Sequence, residues 1–246
     1  NAEALVVFLH AVGGDPGSWD GQVARLARDP RFRTLAVDLT LPAGAVSMRA
    51  FAEKTLAAID AAGYARAHLV GLSMGAVVAL EVFAMAPERV RSLTLANTWA
   101  YQPEAAGKLA WFEGEFSARG LAGFSTATMP PLLAPTTDPA VVARMVAVES
   151  AKDPAMYRAC WHAMLPHDHR ATLARVDVPV LLVGGALDTV TPTRPLLTAI
   201  AEAVPTARLV ELPAAAHFSN LDDPEGFDAA LVPFLREAHG AVDDRA

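Results

Sequence analysis

"VGLSMGA", residues 70–76, sets a serine between two glycines, with an apolar run on either side. Upstream, "AHLVGL" (67–72) reads as a short strand whose near-continuous apolar run suits a sheet covered on both faces. Downstream, residues 74–86 read as a helix. Between Leu72 and Met74 a single residue, Ser73, is left for the turn. Glycines on both sides remove side chains that would collide in so sharp a reversal. This is the G-x-S-x-G elbow, which lifts a serine hydroxyl above the end of a sheet. The stretch 69–86 has about the length of a membrane span. Gly71, Ser73, Gly75 and Glu81 interrupt it, so it reads as buried strand, turn and helix.

Outward from the elbow, short β-branched runs alternate with helical patterns. Residues 5–10, 33–38, 91–97, 178–185 and 207–212 read as further strands; 18–28, 47–62, 192–203 and 223–238 read as helices. Ser47 stands where an N-cap belongs and Gly63 where a helix stops. The alternation predicts an α/β fold with a mostly parallel, doubly wound sheet. From about Ala100 to Thr172 no strand-like run occurs, only helical pieces punctuated by "TMPPLLAPTTDP". We expect residues 100–172 to form a helical lid inserted after the strand that follows the elbow helix. Residues 1–99 and 173–246 then make the core.

The 246 residues are 53% hydrophobic and 19% charged, which suits a globular chain with a sizeable core. A formal net charge of -7, without a Lys/Arg run, argues against nucleic acid or an anionic membrane surface as a partner. Cys160 is the single cysteine, forms no internal disulfide, and fits a reducing, cytoplasmic setting. It reads as a small buried hydrophobe rather than a nucleophile.

A serine hydroxyl attacks poorly without a base, and the base needs an orienting carboxylate. In this architecture they follow in the order Ser, Asp or Glu, His, each beyond the end of a strand. "VLLVGGALDTVTP" supplies Asp188 and "LVELPAAAHFSN" supplies His217. The rival position for the acid, after the strand at 91–97, holds Asn97 instead. One oxyanion donor is the backbone N–H of Met74, directly after the serine; the second is expected from Val12 in the glycine-rich "FLHAVGGDPGSW" loop. His10 in that loop reads as structural.

At these residues the chain resembles the α/β-hydrolase superfamily, and more narrowly the β-ketoadipate enol-lactone hydrolases. The resemblance rests on "GLSMGA", "APERVRSLTLANT", "DPAMYRACWHAM", "GGALDTVTP" and "AAAHFSNLDDPEGF". It implies a cofactor-free Ser–His–Asp mechanism acting on an opened cyclic enol ester. Two departures stand out. Relatives carry D-x-R-G-H-G after the second strand, where this chain reads "VDLTLPAGAVS", without the arginine or histidine. The first strand here also matches the family's third, so the usual opening hairpin is not in this sequence.

The lid contributes Trp111, Phe112, Phe124, Met129, Trp161 and Met164, with Trp99 at its entrance. Of these, Trp99, Trp111, Met129 and Trp161 are the expected substrate contacts in an apolar pocket for a small molecule. "HDHR" (167–170) offers two histidines without further ligands at useful spacing, so no metal site is expected. No dinucleotide or phosphate loop occurs. The reading is a serine hydrolase of a small ester or lactone. Carbon–carbon hydrolysis of β-diketone-like substrates and slow-turnover ligand sensing would use the same scaffold.

Overall fold

A computed structural model describes residues 3–243, and the side chains of residues 3–240. Six strands form one sheet: β1 (Ala4–Leu9), β2 (Phe32–Val37), β3 (Ala67–Leu72), β4 (Val90–Ala96), β5 (Val180–Gly185) and β6 (Arg208–Leu212), in the order β2-β1-β3-β4-β5-β6. All five pairings are parallel. Each predicted strand is present to within two residues. The order in which strands are added reverses beside β1, so the C-terminal ends of β1 and β3 flank the switch point where such folds place their ligands.

Among the described residues the α-helices are α1 (Asp20–Leu26), α2 (Met48–Ala61), α3 (Met74–Met85), α4 (Ala105–Thr128), α5 (Pro139–Ser150), α6 (Pro154–Met164), α7 (Arg170–Leu173), α8 (Thr198–Ala203), α9 (Ser219–Asp222) and α10 (Pro224–Asp243). Ser47 caps α2, its hydroxyl accepting from Ala50 N at 3.0 Å. The helix expected at 192–203 forms only from Thr198. Arg194 adopts extended angles (φ -106, ψ 123), and residues 193–197 wind in a wider turn.

The two-residue period of the strands explains both faces. On β1, Leu5, Val7 and Leu9 join the cluster built with α2, α3 and α8, whereas Val6 and Phe8 join Trp19 with α1 and α10. Apart from Glu81, helix α3 is apolar because most of its surface is covered, by β1, β3 and β4 beneath and α2 beside it. The stretch with the length of a membrane span is therefore β3, a turn and α3; among the described residues no helix is long and apolar enough to cross a membrane.

Helices α4–α7 all lie between β4 and β5. Gly120 (φ 64) breaks α4 into two pieces. Phe112, Leu121, Phe124 and Tyr157 give this insertion a small core of its own. It is tied to the rest by Arg144–Asp15 (2.7 Å), by Lys108 Nζ donating to Val190 O (3.3 Å), and by Asp222. The Asp222 carboxylate accepts from Ala134 N (3.0 Å) and Thr137 Oγ1 (2.5 Å), and also from Ala216 N (2.8 Å) beside His217.

Candidate active site

Ser73 sits between β3 and α3 at φ 54, ψ -118, a positive-φ conformation that L-residues avoid. Its neighbours explain why the glycines are required. A Cβ on Gly71 would run into Gly75 O and stand 2.5 Å from Ala76 N; one on Gly75 would run into the carbonyls of Leu9 and His10. The elbow is thus packed directly against the end of β1. Ser73 N donates to Ala96 O (2.9 Å), and Ser73 O accepts from Thr98 Oγ1 (3.0 Å). Met74 is the first residue of α3, so its N–H is one of those the helix ladder leaves unused.

Asp188 and His217 lie in the loops after β5 and β6, each 5% exposed. His217 Nδ1 donates to Asp188 Oδ2 at 3.0 Å, which leaves Nε2 as the ring's lone-pair atom. The carboxylate is held from several sides. Oδ1 accepts from Val190 N (2.8 Å) and Thr191 N (2.9 Å); Oδ2 accepts from Thr191 Oγ1 (2.5 Å) and Asn97 Nδ2 (2.9 Å). Burial pushes the Asp188 carboxyl up, but the charge and hydrogen bond of His217, with those from Thr191, outweigh it and hold it well below the usual carboxylate range. Asp188 thus both folds its own loop and faces the imidazole.

Asn97 was legible only as a position lacking an acid. It sits at φ 45, fully buried, and donates to both Asp188 Oδ2 and Ala216 O (3.0 Å) while accepting from Ser219 Oγ (2.5 Å). It joins the acid loop to the histidine loop. No motif announces it; an Asn at the end of β4, able to adopt a positive φ, was the one available sign.

A cavity of about 790 Å³ brings Ser73, His217 and Val12 together with all four expected contacts, Trp99, Trp111, Met129 and Trp161. Phe124 and Met164 also line it. Phe112 does not reach it: its ring stacks behind Trp161, 4.5 Å between centroids and 4° from parallel. Trp111 is half exposed and stands at the mouth. Glu149 and Tyr157 line the cavity as well, and sequence reading missed both. The Tyr157 hydroxyl donates to Glu149, and burial pushes the Glu149 carboxyl up. They also explain Gly13, whose φ is 72 and whose Cβ would meet Glu149 and Tyr157 atoms within 2.8 Å. His10 braces the same loop: Leu39 N donates to its Nε2 (2.9 Å), and its Nδ1 lies 2.8 Å from Ala11 O. Buried Cys160 packs with Met156 and Met164 in the core cluster.

With this geometry in hand, comparison with known proteins is informative. The profile of the alpha/beta hydrolase family matches residues 6–230. The chain belongs to that family. It is 30% identical over 245 residues to a RutD protein of Pseudomonas savastanoi, named a carbamate hydrolase, spanning 94% of this chain and 93% of that protein. Among solved structures, a hydrolase from Pseudomonas aeruginosa PA01 superimposes with a TM-score of 0.85 at 31% identity, covering 95% of this chain and 90% of the other. The enol-lactonase of Burkholderia xenovorans LB400 gives 0.84 at 27% identity, covering 96% and 92%. As a member of this family the chain is a hydrolase.

Proposed function

We propose that this hydrolase cleaves a small carboxylic ester or lactone through an acyl-enzyme on Ser73. The observation that carries the reading is the buried His217–Asp188 pair, hydrogen-bonded at 3.0 Å, with His217 and the strained elbow serine on one cavity wall. His217 Nε2 takes the Ser73 proton as Oγ attacks the carbonyl carbon. The oxyanion is held by the N–H groups of Met74 and Val12; losing one such donor typically costs roughly 3–4 kcal/mol. The imidazolium then protonates the leaving oxygen as its bond to carbon breaks, with Asp188 stabilising the charged ring. In the second half His217 takes a proton from water, the hydroxide attacks the acyl carbon, and the proton returns to Ser73. An enol leaving group would tautomerise to a ketone and draw the reaction forward.

An enol-lactone is the favoured substrate. An apolar cavity of about 790 Å³ suits a small cyclic ester, and a structural relative is named an enol-lactonase. Helices α4–α7 serve as the lid, and Trp161 is the leading substrate contact. A second reading, hydrolysis of a carbamate, is favoured by the name of the RutD relative. The test is a steady-state comparison of β-ketoadipate enol-lactone, short aryl esters and simple carbamates, with Ser73→Ala as control. Preference for the lactone supports the reading; turnover of carbamates alone, or activity undiminished in Ser73→Ala, overturns it.

A further inference from the structure

The loop between α6 and α7 carries the two histidines of "HDHR", whose spacing in sequence offered too few ligands. The fold supplies the third donor from 86 residues upstream, where Glu81 on α3 turns its carboxylate toward both rings. We propose that Glu81, His167 and His169 form a binding site for a divalent transition-metal ion, zinc by donor type, that fastens the helical insertion to α3.

One separation is a hydrogen bond and the other is too long for one, and both atoms lie within reach of a shared ion. Glu81 Oε2 lies 2.8 Å from His167 Nε2 and 3.7 Å from His169 Nε2, and the three ligand atoms lie within 4.8 Å of one another. Donors bound tetrahedrally to zinc at about 2.0–2.1 Å stand about 3.3 Å apart, between those two separations. The two rings lie side by side, their centroids 4.4 Å apart and their planes 56° from parallel. His169 is the telling member. It is 2% exposed; its Nε2 lies 3.7 Å from Glu81 Oε2, beyond hydrogen-bond range, and the ring also faces the Val77 backbone one turn earlier on α3. Thr172 Oγ1 lies 3.3 Å from its Nδ1, and His169 N donates to Ala100 O (2.7 Å), so ring and backbone are both held in place. An Nδ1–H given to Thr172 would leave the Nε2 lone pair free for an ion, the outer-shell arrangement metal-bound histidines use.

Two histidines and one glutamate are a zinc donor set with one position left for water. Glu81 and His167 also line a surface groove, which gives the ion an entry path. Binding replaces the His167–Glu81 hydrogen bond, the neutral His167 ring carrying its proton on Nδ1 so that Nε2 presents its lone pair to the ion. The site has no part in the proposed hydrolytic steps. It joins residues 165–169 to the helix whose first turn follows Ser73, so its effect is on the docking of the insertion.

The test is a thermal-unfolding series of the metal-stripped chain in buffered free Zn²⁺, with Glu81→Gln, His167→Gln and His169→Gln alongside. Above the dissociation constant, Tm of the parent chain should rise by about 3–5 °C for each tenfold increase in free zinc. Each variant should lose that slope. Glu81→Gln keeps a hydrogen-bonding partner for His167, so in EDTA it should unfold near the parent temperature. His162→Gln, which removes the separate His162–Glu113 pair at 2.6 Å, should keep the full zinc response. Bound Co²⁺ should give the intense visible bands of a four-coordinate site in the parent and none in His169→Gln. A flat Tm, or an equal rise in parent and all three variants, overturns the proposal.

Discussion

Asn97→Ala is the sharpest perturbation of the candidate site that leaves the proposed reacting residues in place. The substitution deletes a charge-assisted hydrogen bond to Asp188 and two neutral ones, to Ala216 O and from Ser219 Oγ. A hydrogen bond to a charged group contributes about 1.5–3 kcal/mol and a neutral one about 1, with further cost when the abandoned partners stay buried. Alanine must also hold φ 45, where asparagine is among the better-tolerated non-glycine residues. Together these predict a loss of about 4 kcal/mol, a large share of a typical domain's stability of about 5–15 kcal/mol. Asp188 keeps both backbone N–H partners and Thr191, so the carboxylate should stay near His217 with one restraint fewer. We therefore expect kcat to fall by about 10- to 100-fold, equivalent to about 1.4–2.7 kcal/mol, and not to vanish. Urea denaturation at constant m-value gives the stability change, and initial rates on an aryl ester give kcat. A loss below about 1 kcal/mol with unchanged kcat would refute the role assigned to Asn97.

Other perturbations follow from the same contacts. Asp188→Asn should lower kcat by about 10⁴-fold, because an amide presents the wrong partner to His217 Nδ1–H; initial rates measure it. The Asp188 carboxyl is depressed in the fold, so its stabilising contribution is complete above the unfolded value near 3.8 and is lost as pH falls toward the lower folded value. Unfolding free energies of the parent should therefore drop below about pH 4 more steeply than those of Asp188→Asn. Glu149 carries the opposite sign: burial raises its folded pKa, so wild-type stability should decline relative to Glu149→Gln as pH rises from 4, levelling off once the folded group has ionised. Gly75→Ala should abolish activity and lower Tm, since its Cβ would strike the Leu9 and His10 carbonyls, which cannot move without shifting β1; esterase rate and thermal unfolding together check it.

The sheet and elbow were legible because their signals are local. An apolar run covered on both faces reads as a central strand, and the G-x-S-x-G pattern is contiguous, although Gly71 answers a collision inside the β–turn–α unit and Gly75 one with the end of β1. Asp188 and His217 were legible because chain order and strand ends constrain where they fall. Asn97, Glu149 and Asp222 were not. Each acts on atoms far along the chain, Asn97 on Ala216, Glu149 on Gly13 and Asp222 on Ala134, and none belongs to a periodic pattern. Phe112 shows a related limit: an aromatic of the insertion looks the same in sequence whether it faces the cavity or backs its neighbour. The helix expected over 192–203 started late because Arg194 takes extended angles, a backbone choice that side-chain periodicity does not record. Glu81 was legible only as a break in the apolar run, with nothing to connect it to His167 and His169, since groups 86 residues apart meet only in the fold.

Covalent labelling tests the central claim most directly. The chain, incubated with a fluorophosphonate and digested, should carry one phosphonyl group per molecule, on the peptide containing Ser73, with ester hydrolysis lost in proportion. His217→Ala should label far more slowly, and Ser73→Ala not at all. Stoichiometric labelling at any other residue, or full hydrolytic activity in a chain that resists the reagent, would contradict the account.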